Sequence, residues 1–107
     1  MGELASTIDP AGRRVVLTDQ AWRRITADHP GLADYLDDVM RAVTRPGFVT
    51  PDPGAGGHCF WRQSIGPSGW LAVVVDLEHD PAIVVAATPQ RTDPPGWPSG
   101  LSAGGSA

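Results

Sequence analysis

Between Trp22 and Val43 the apolar positions recur at helical spacing, and one proline interrupts them. Trp22, Ile25 and His29 fall at i, i+3 and i+7, one face of a first helix, with Arg23 and Arg24 off that face. Pro30 cannot continue that helix and drives His29 out of the α region, so the helix ends near Asp28. Thr18 or Asp19 caps its start through a side-chain oxygen. Pro30 suits the first turn of a second helix, where its missing N–H costs nothing. Leu32, Leu36, Val39, Met40 and Val43 form the apolar stripe of this second helix, with Asp34, Asp37, Asp38 and Arg41 mostly outside it. Thr44 to Pro46 stops it, since the residue before a proline leaves the α region.

The rest of the chain changes period. Arg13–Thr18 reads as a short strand or extended segment, and Phe48–Val49 as a short strand or an anchoring turn. Thr50–Gly57 is a loop by composition. His58–Ile65 alternates, with His58, Phe60, Arg62 and Ser64 on one face and Cys59, Trp61, Gln63 and Ile65 on the other. Gly66–Gly69 is a hairpin turn. Trp70–Leu77 is apolar almost throughout, as a covered central strand is. Glu78–Pro81 turns the chain again, and Ala82–Thr88 is the last strand. This succession predicts an α+β fold: two N-terminal helices on one face of a small antiparallel sheet built as a hairpin meander. Residues 1–12 read as a flexible arm and 13–92 as a single domain. Residues 93–107, rich in Gly, Pro and Ser, read as a disordered tail in which Trp97 stands alone as an aromatic.

A chain of 107 residues, 41% hydrophobic, supports one small core. The start of the chain has neither a basic end nor an apolar centre, so it does not read as a signal peptide. No apolar run approaches the ~20 residues of a membrane span, and no membrane association is expected. Cys59 is the single cysteine, which excludes an intramolecular disulfide and fits a reducing, cytoplasmic setting. The net charge of −4 disfavours a non-specific nucleic-acid binder. All eight basic residues are Arg, whose planar fork matches phosphate and carboxylate.

The polar candidates for chemistry are His29, His58, Arg62, Ser64, His79, Thr88, Gln90 and Arg91. Metal chemistry is not expected, because no His-x-x-His, His-Glu-x-x-His or cysteine pair occurs and neighbours His58 and Cys59 point to opposite strand faces. No cofactor is implied. His79 stands in a turn and reads as a solvated residue. Metal-free cleavage of RNA through its own 2′-hydroxyl needs a base, an acid and donors around the phosphoryl oxygens. Two histidines, an arginine and a hydroxyl would supply these.

Leu17, Thr18, Trp22, Ile25, His29, Pro30, Leu32, Tyr35, Leu36 and Pro46, then Arg62 in Phe-Trp-Arg-Gln-Ser, then Ile83 to Thr88, form a recurrent pattern over about Val15 to Arg91. In it the chain resembles the small phage-associated domains of the barnase–EndoU–colicin–RelE-like nuclease superfamily. The resemblance implies helices packed on an antiparallel sheet and metal-independent ribonuclease activity in a bacterial toxin, effector or phage-related protein. His29 matches the histidine before proline, Arg62 a basic strand residue, and Thr88 a hydroxyl residue near the end of the last strand. His58 is a second acid/base candidate, and Ser64, Gln90 and Arg91 are candidates for substrate contact. One departure is visible: Ala86 stands where relatives often carry the hydroxyl. That loss, with the acidic charge, motivates two alternatives: a catalytically inactive member that binds protein or nucleic acid, and an acidic immunity- or antitoxin-like partner presenting Asp34, Asp37 and Asp38. RNA is the expected partner of an active enzyme, and a cognate protein inhibitor or partner is the other expectation. The RNA target and the oligomeric state are not encoded in any motif of the chain.

Overall fold

A computed structural model describes residues 2–52, 57–63, 69–92 and 94. Its elements in chain order are β1 (Glu3–Ile8), β2 (Arg14–Thr18), α1 (Asp19–Asp28), a short 3₁₀ turn (Pro30–Leu32), α2 (Leu36–Thr44), β3 (Phe48–Asp52), β4 (Gly57–Gln63), β5 (Trp70–Asp76) and β6 (Ala82–Gln90). The six strands form one sheet in the order β1-β2-β6-β5-β4-β3. All neighbours pair antiparallel except β2 and β6, which run parallel through Val15↔Ala82 and Val16↔Ile83.

This corrects the expected small antiparallel meander under two N-terminal helices. The sheet is mixed, and the helices lie between its second and third strands. The reason lies in β2. Val15, Val16 and Leu17 are buried in succession, which requires neighbours on both edges and cover on both faces. Residues 3–8, read from sequence as part of a loose arm, supply one neighbour, and the last strand supplies the other. From β2 the chain crosses the sheet through α1 and α2, starts again at the far edge with β3, and returns strand by strand to β6. The connection expected over Thr50–Gly57 is shorter than predicted, since β3 runs to Asp52 and β4 starts at Gly57. Pro51 is tolerated in β3 because that strand is an edge. The Gly66–Gly69 turn lies outside the described residues except for Gly69, whose φ of +88° suits glycine. The expected 93–107 tail lies outside them except for Pro94.

Thr18 caps α1, its side-chain oxygen accepting from the Ala21 N–H at 3.1 Å. Asp19 instead pairs with Arg23 one turn on, at 2.7 Å. Pro30 opens the 3₁₀ turn rather than α2, and α2 starts at Leu36 after Tyr35. Both helices bury their apolar stripes on one sheet face, in a core with Leu17, Ile25, Leu32, Val39, Val43, Phe60, Leu71, Val73 and Val84. Among the described residues no helix is long and apolar enough to cross a membrane.

Among the described glycines, Gly57 has the closest neighbouring backbone. A Cβ there would stand 1.9 Å from the Val75 carbonyl oxygen, which is backbone and cannot swing aside. Gly57→Ala is expected to cost about 2 kcal/mol through forced strand displacement, measured as a drop in the denaturation midpoint at unchanged slope.

Candidate functional site

His29 ends α1. Its backbone N–H donates to Ile25 O at 2.8 Å, and its carbonyl accepts from the Leu32 N–H at 2.9 Å. The following proline and the buried Leu32 fix the corner, so the half-buried imidazole is held at a turn between helices. It lines a cavity of about 70 Å³ with Arg24, Ile25, Asp28 and residues Val85 to Thr88 of β6. Arg24 and Asp28 are one helical turn apart on α1 and flank the Ile25–His29 row. The sequence reading set Arg24 aside because it lies off the apolar face. The signal that could have found it is its i,i+4 relation to Asp28, beside the histidine.

The β6 wall of this cavity is irregular. Pairing runs Val74↔Ala86 and then Val75↔Val84, so Val85 is an extra residue, a β-bulge. A one-residue slip exchanges the faces of everything beyond it. Val84 and Ala87 both face the helix-side core. Thr88 pairs with Ala72, and Ala86 with Val74, which belong to a second apolar cluster on the opposite face. Thr88 therefore borders the cavity along the chain while its side chain stands on the sheet face away from α1. In a regular strand Thr88 would share the face of Val84.

His58 and Arg62 lie on β4 on the helix side, at either side of Phe60. The His58 and Phe60 ring centroids are 6.3 Å apart. Arg62 Nη1 donates to the Arg45 carbonyl at the end of α2, at 2.5 Å. His58 Nδ1 and Arg62 Nε are buried without a hydrogen-bond partner. His58 and Arg62 are four positions apart on the strand, roughly 13 Å at the usual rise, and β5 separates both from β6. Neither residue lines the His29 cavity. Gln90 ends β6 opposite Trp70, Arg91 beyond it is exposed, and Ser64 lies outside the described residues. His79 is exposed in its turn and pairs with Asp76, Nε2 to Oδ2 at 3.3 Å. Asp34 and Asp37 are exposed and Asp38 is half-buried. Among the described residues no group of three or more His, Cys, Asp or Glu side chains is placed to hold a metal ion.

The structure thus defines an α+β domain with a six-stranded mixed sheet, two crossover helices on one face, and a small histidine cavity at their corner. Comparison with known protein families, with curated proteins and with solved structures finds no match to this chain.

Proposed function

We propose that this domain works by binding a protein partner, in the cytoplasm, on a nuclease-like plan that has lost the means to cleave RNA. The separation of the residues that cleavage would combine carries this reading. Acid–base work on a phosphodiester needs its groups within hydrogen-bond reach of the same atoms. Here the imidazole of His29 is at the α1 corner, His58 and Arg62 are spread along β4, and the Thr88 side chain is on the other side of the sheet. No side-chain rotation reunites groups on opposite sheet faces. The net charge of −4 supports a protein partner over a nucleic acid, whose affinity comes from neutralised phosphates.

One observation favours a second reading, ribonuclease activity at the cavity alone: Arg24, Asp28 and His29 line it together. Asp28 would take the 2′-hydroxyl proton, protonated His29 would give one to the leaving 5′-oxygen, and Arg24 would offset charge on the phosphoryl oxygens.

The two readings separate in one assay: total RNA with excess EDTA, incubated with the parent, His29→Ala, Arg24→Ala and Arg62→Ala. The binding reading expects intact RNA in all four. Cleavage by the parent, leaving 2′,3′-cyclic ends and reduced about 100-fold or more in His29→Ala and Arg24→Ala but not in Arg62→Ala, would establish the second reading instead.

A further inference from the structure

A second cleft, of about 380 Å³, opens where β2 and β6 begin. It is several times the volume of the His29 cavity and falls within the range of small-molecule sites, about 300–1,000 Å³. Its walls come from segments far apart in the sequence. The turn between β1 and β2 brings Gly12, Arg13 and Arg14. The connection between β5 and β6 brings Leu77, His79 and Asp80, and Ala82 follows at the start of β6. The parallel pairing of β2 with β6, through Val15↔Ala82, sets the two walls side by side. None of these residues lines the His29 cavity.

The cations of this cleft are held in place by carboxylates that do not line it. Arg13 Nε donates to Asp9 Oδ2 at 2.8 Å, and the buried Asp9 carboxylate is itself fixed by the Ala11 and Arg13 N–H groups. Arg14 Nη2 donates to Glu3 Oε1 at 2.6 Å. A guanidinium carries five N–H donors, so each fork has donors beyond these contacts. His79 is tethered in the same manner, Nε2 to Asp76 Oδ2 at 3.3 Å. Side chains fixed in advance lose less rotamer freedom when an anion arrives. Two guanidinium groups line the cleft against one carboxylate, Asp80, so a positive surplus stands in a chain of net charge −4. Leu77 packs against the core and Ala82 is buried, which gives the cleft a firm apolar backing. On the opposite wall a Cβ added to Gly12 would meet nothing within 4 Å, so that side is open to a ligand.

Such a set suits a ligand with two unlike ends. Two arginine forks match the several oxygens of a phosphate dianion. A carboxylate repels that end and accepts from hydroxyl groups at the other. We propose that this cleft binds a small phosphorylated sugar, with its phosphate on Arg13 and Arg14, a hydroxyl on Asp80 and its carbon skeleton against Leu77 and Ala82. The site is separate from the His29 cavity and does not depend on the protein-binding reading.

The probe is ribose 5-phosphate, titrated into the full-length protein by calorimetry and by amide NMR spectra, beside ribose and inorganic phosphate. The salt is about 0.1 M, which screens long-range charge effects. The expected Kd is below about 1 mM, with amide shifts concentrated at Gly12 to Arg14 and Leu77 to Ala82. Ribose, lacking the charge, and inorganic phosphate, lacking the hydroxyls, are each expected to bind at least threefold more weakly. Arg14→Gln is expected to weaken binding about tenfold, since it removes charged hydrogen bonds to the phosphate. It breaks only an exposed ion pair, so its denaturation midpoint should match the parent's. Arg23→Gln removes the same charge from another exposed pair, on α1, and is expected to leave Kd within twofold. A Kd weaker than about 1 mM would overturn the proposal. So would ribose or inorganic phosphate binding within threefold of the ester, or an Arg14→Gln loss no greater than that of Arg23→Gln. Shifts centred on Asp28, His29 and Val85 to Thr88 would place the ligand in the other cavity and overturn it equally.

Discussion

Asp9→Ala is expected to destabilise the protein by about 3 kcal/mol, seen as a shift of the denaturation midpoint, whereas Asp9→Asn costs about 1 kcal/mol. Among the described residues Asp9 is the one polar side chain of the buried set, and it is 3% exposed. Its Oδ1 accepts from the Ala11 N–H at 3.0 Å and from the Arg13 N–H at 2.8 Å, and its Oδ2 accepts from Arg13 Nε at 2.8 Å. These bonds close the turn that joins β1 to β2, where Gly12 adopts a φ of +87°. Alanine leaves two backbone donors unpaired at a turn whose own carbonyls are already used, since the Asp9 and Arg13 carbonyls accept from Gly12 and Asp9. Asparagine keeps the Oδ1 acceptor but puts an amide NH2 in place of Oδ2, so it loses the bond from Arg13 Nε together with the charge. That guanidinium is half in water, so its ion pair contributes little. Equal losses in the two variants would show that the ion pair, not the backbone bonds, holds the turn.

The second large effect lies in the centre of the sheet. Leu71→Ala is expected to cost about 3 kcal/mol and to lower the melting temperature by roughly 15 °C in calorimetry. Leu71 is fully buried on β5, between Arg62 of β4 and Pro89 of β6. Strands on both sides and helices above leave little room for the site to collapse, so the vacated volume persists as a cavity. A loss below about 1 kcal/mol would mean that the helix layer settles into the gap.

Local chemistry made much of this protein legible from its residues. The end of α1 near Asp28 follows from Pro30, and the Thr18 cap from the hydroxyl preceding an amphipathic run. The alternation of His58 to Gln63 assigns Phe60 to the helix core and Cys59 and Trp61 to the opposite face. One constraint on the site was also within reach: residues four apart on a strand stand roughly 13 Å apart along it, so His58 and Arg62 share a face without being neighbours.

Other features needed the folded chain. Glu3–Ile8 carries small or polar residues at four of its six positions, so its local pattern does not distinguish an arm from a strand. Its place depends on the unsatisfied edge of β2. The parallel pairing of β2 with β6 joins segments far apart in sequence, and no nearby residue encodes it. The bulge at Val85 decides which face Thr88 occupies, and a bulge arises from how β6 fits β5, not from the residues of β6 alone.

The chain by itself determined where α1 begins and ends, where α2 stops and which residues of β4 share a face, because those outcomes rest on neighbours within a turn or two. Only the tertiary structure decided that the sheet is mixed, that Arg24 joins His29, and that Thr88, though it lines the same cavity, has its side chain on the far face of the sheet. Each of these depends on strand pairing and register, where one residue of slip exchanges the faces of the sheet.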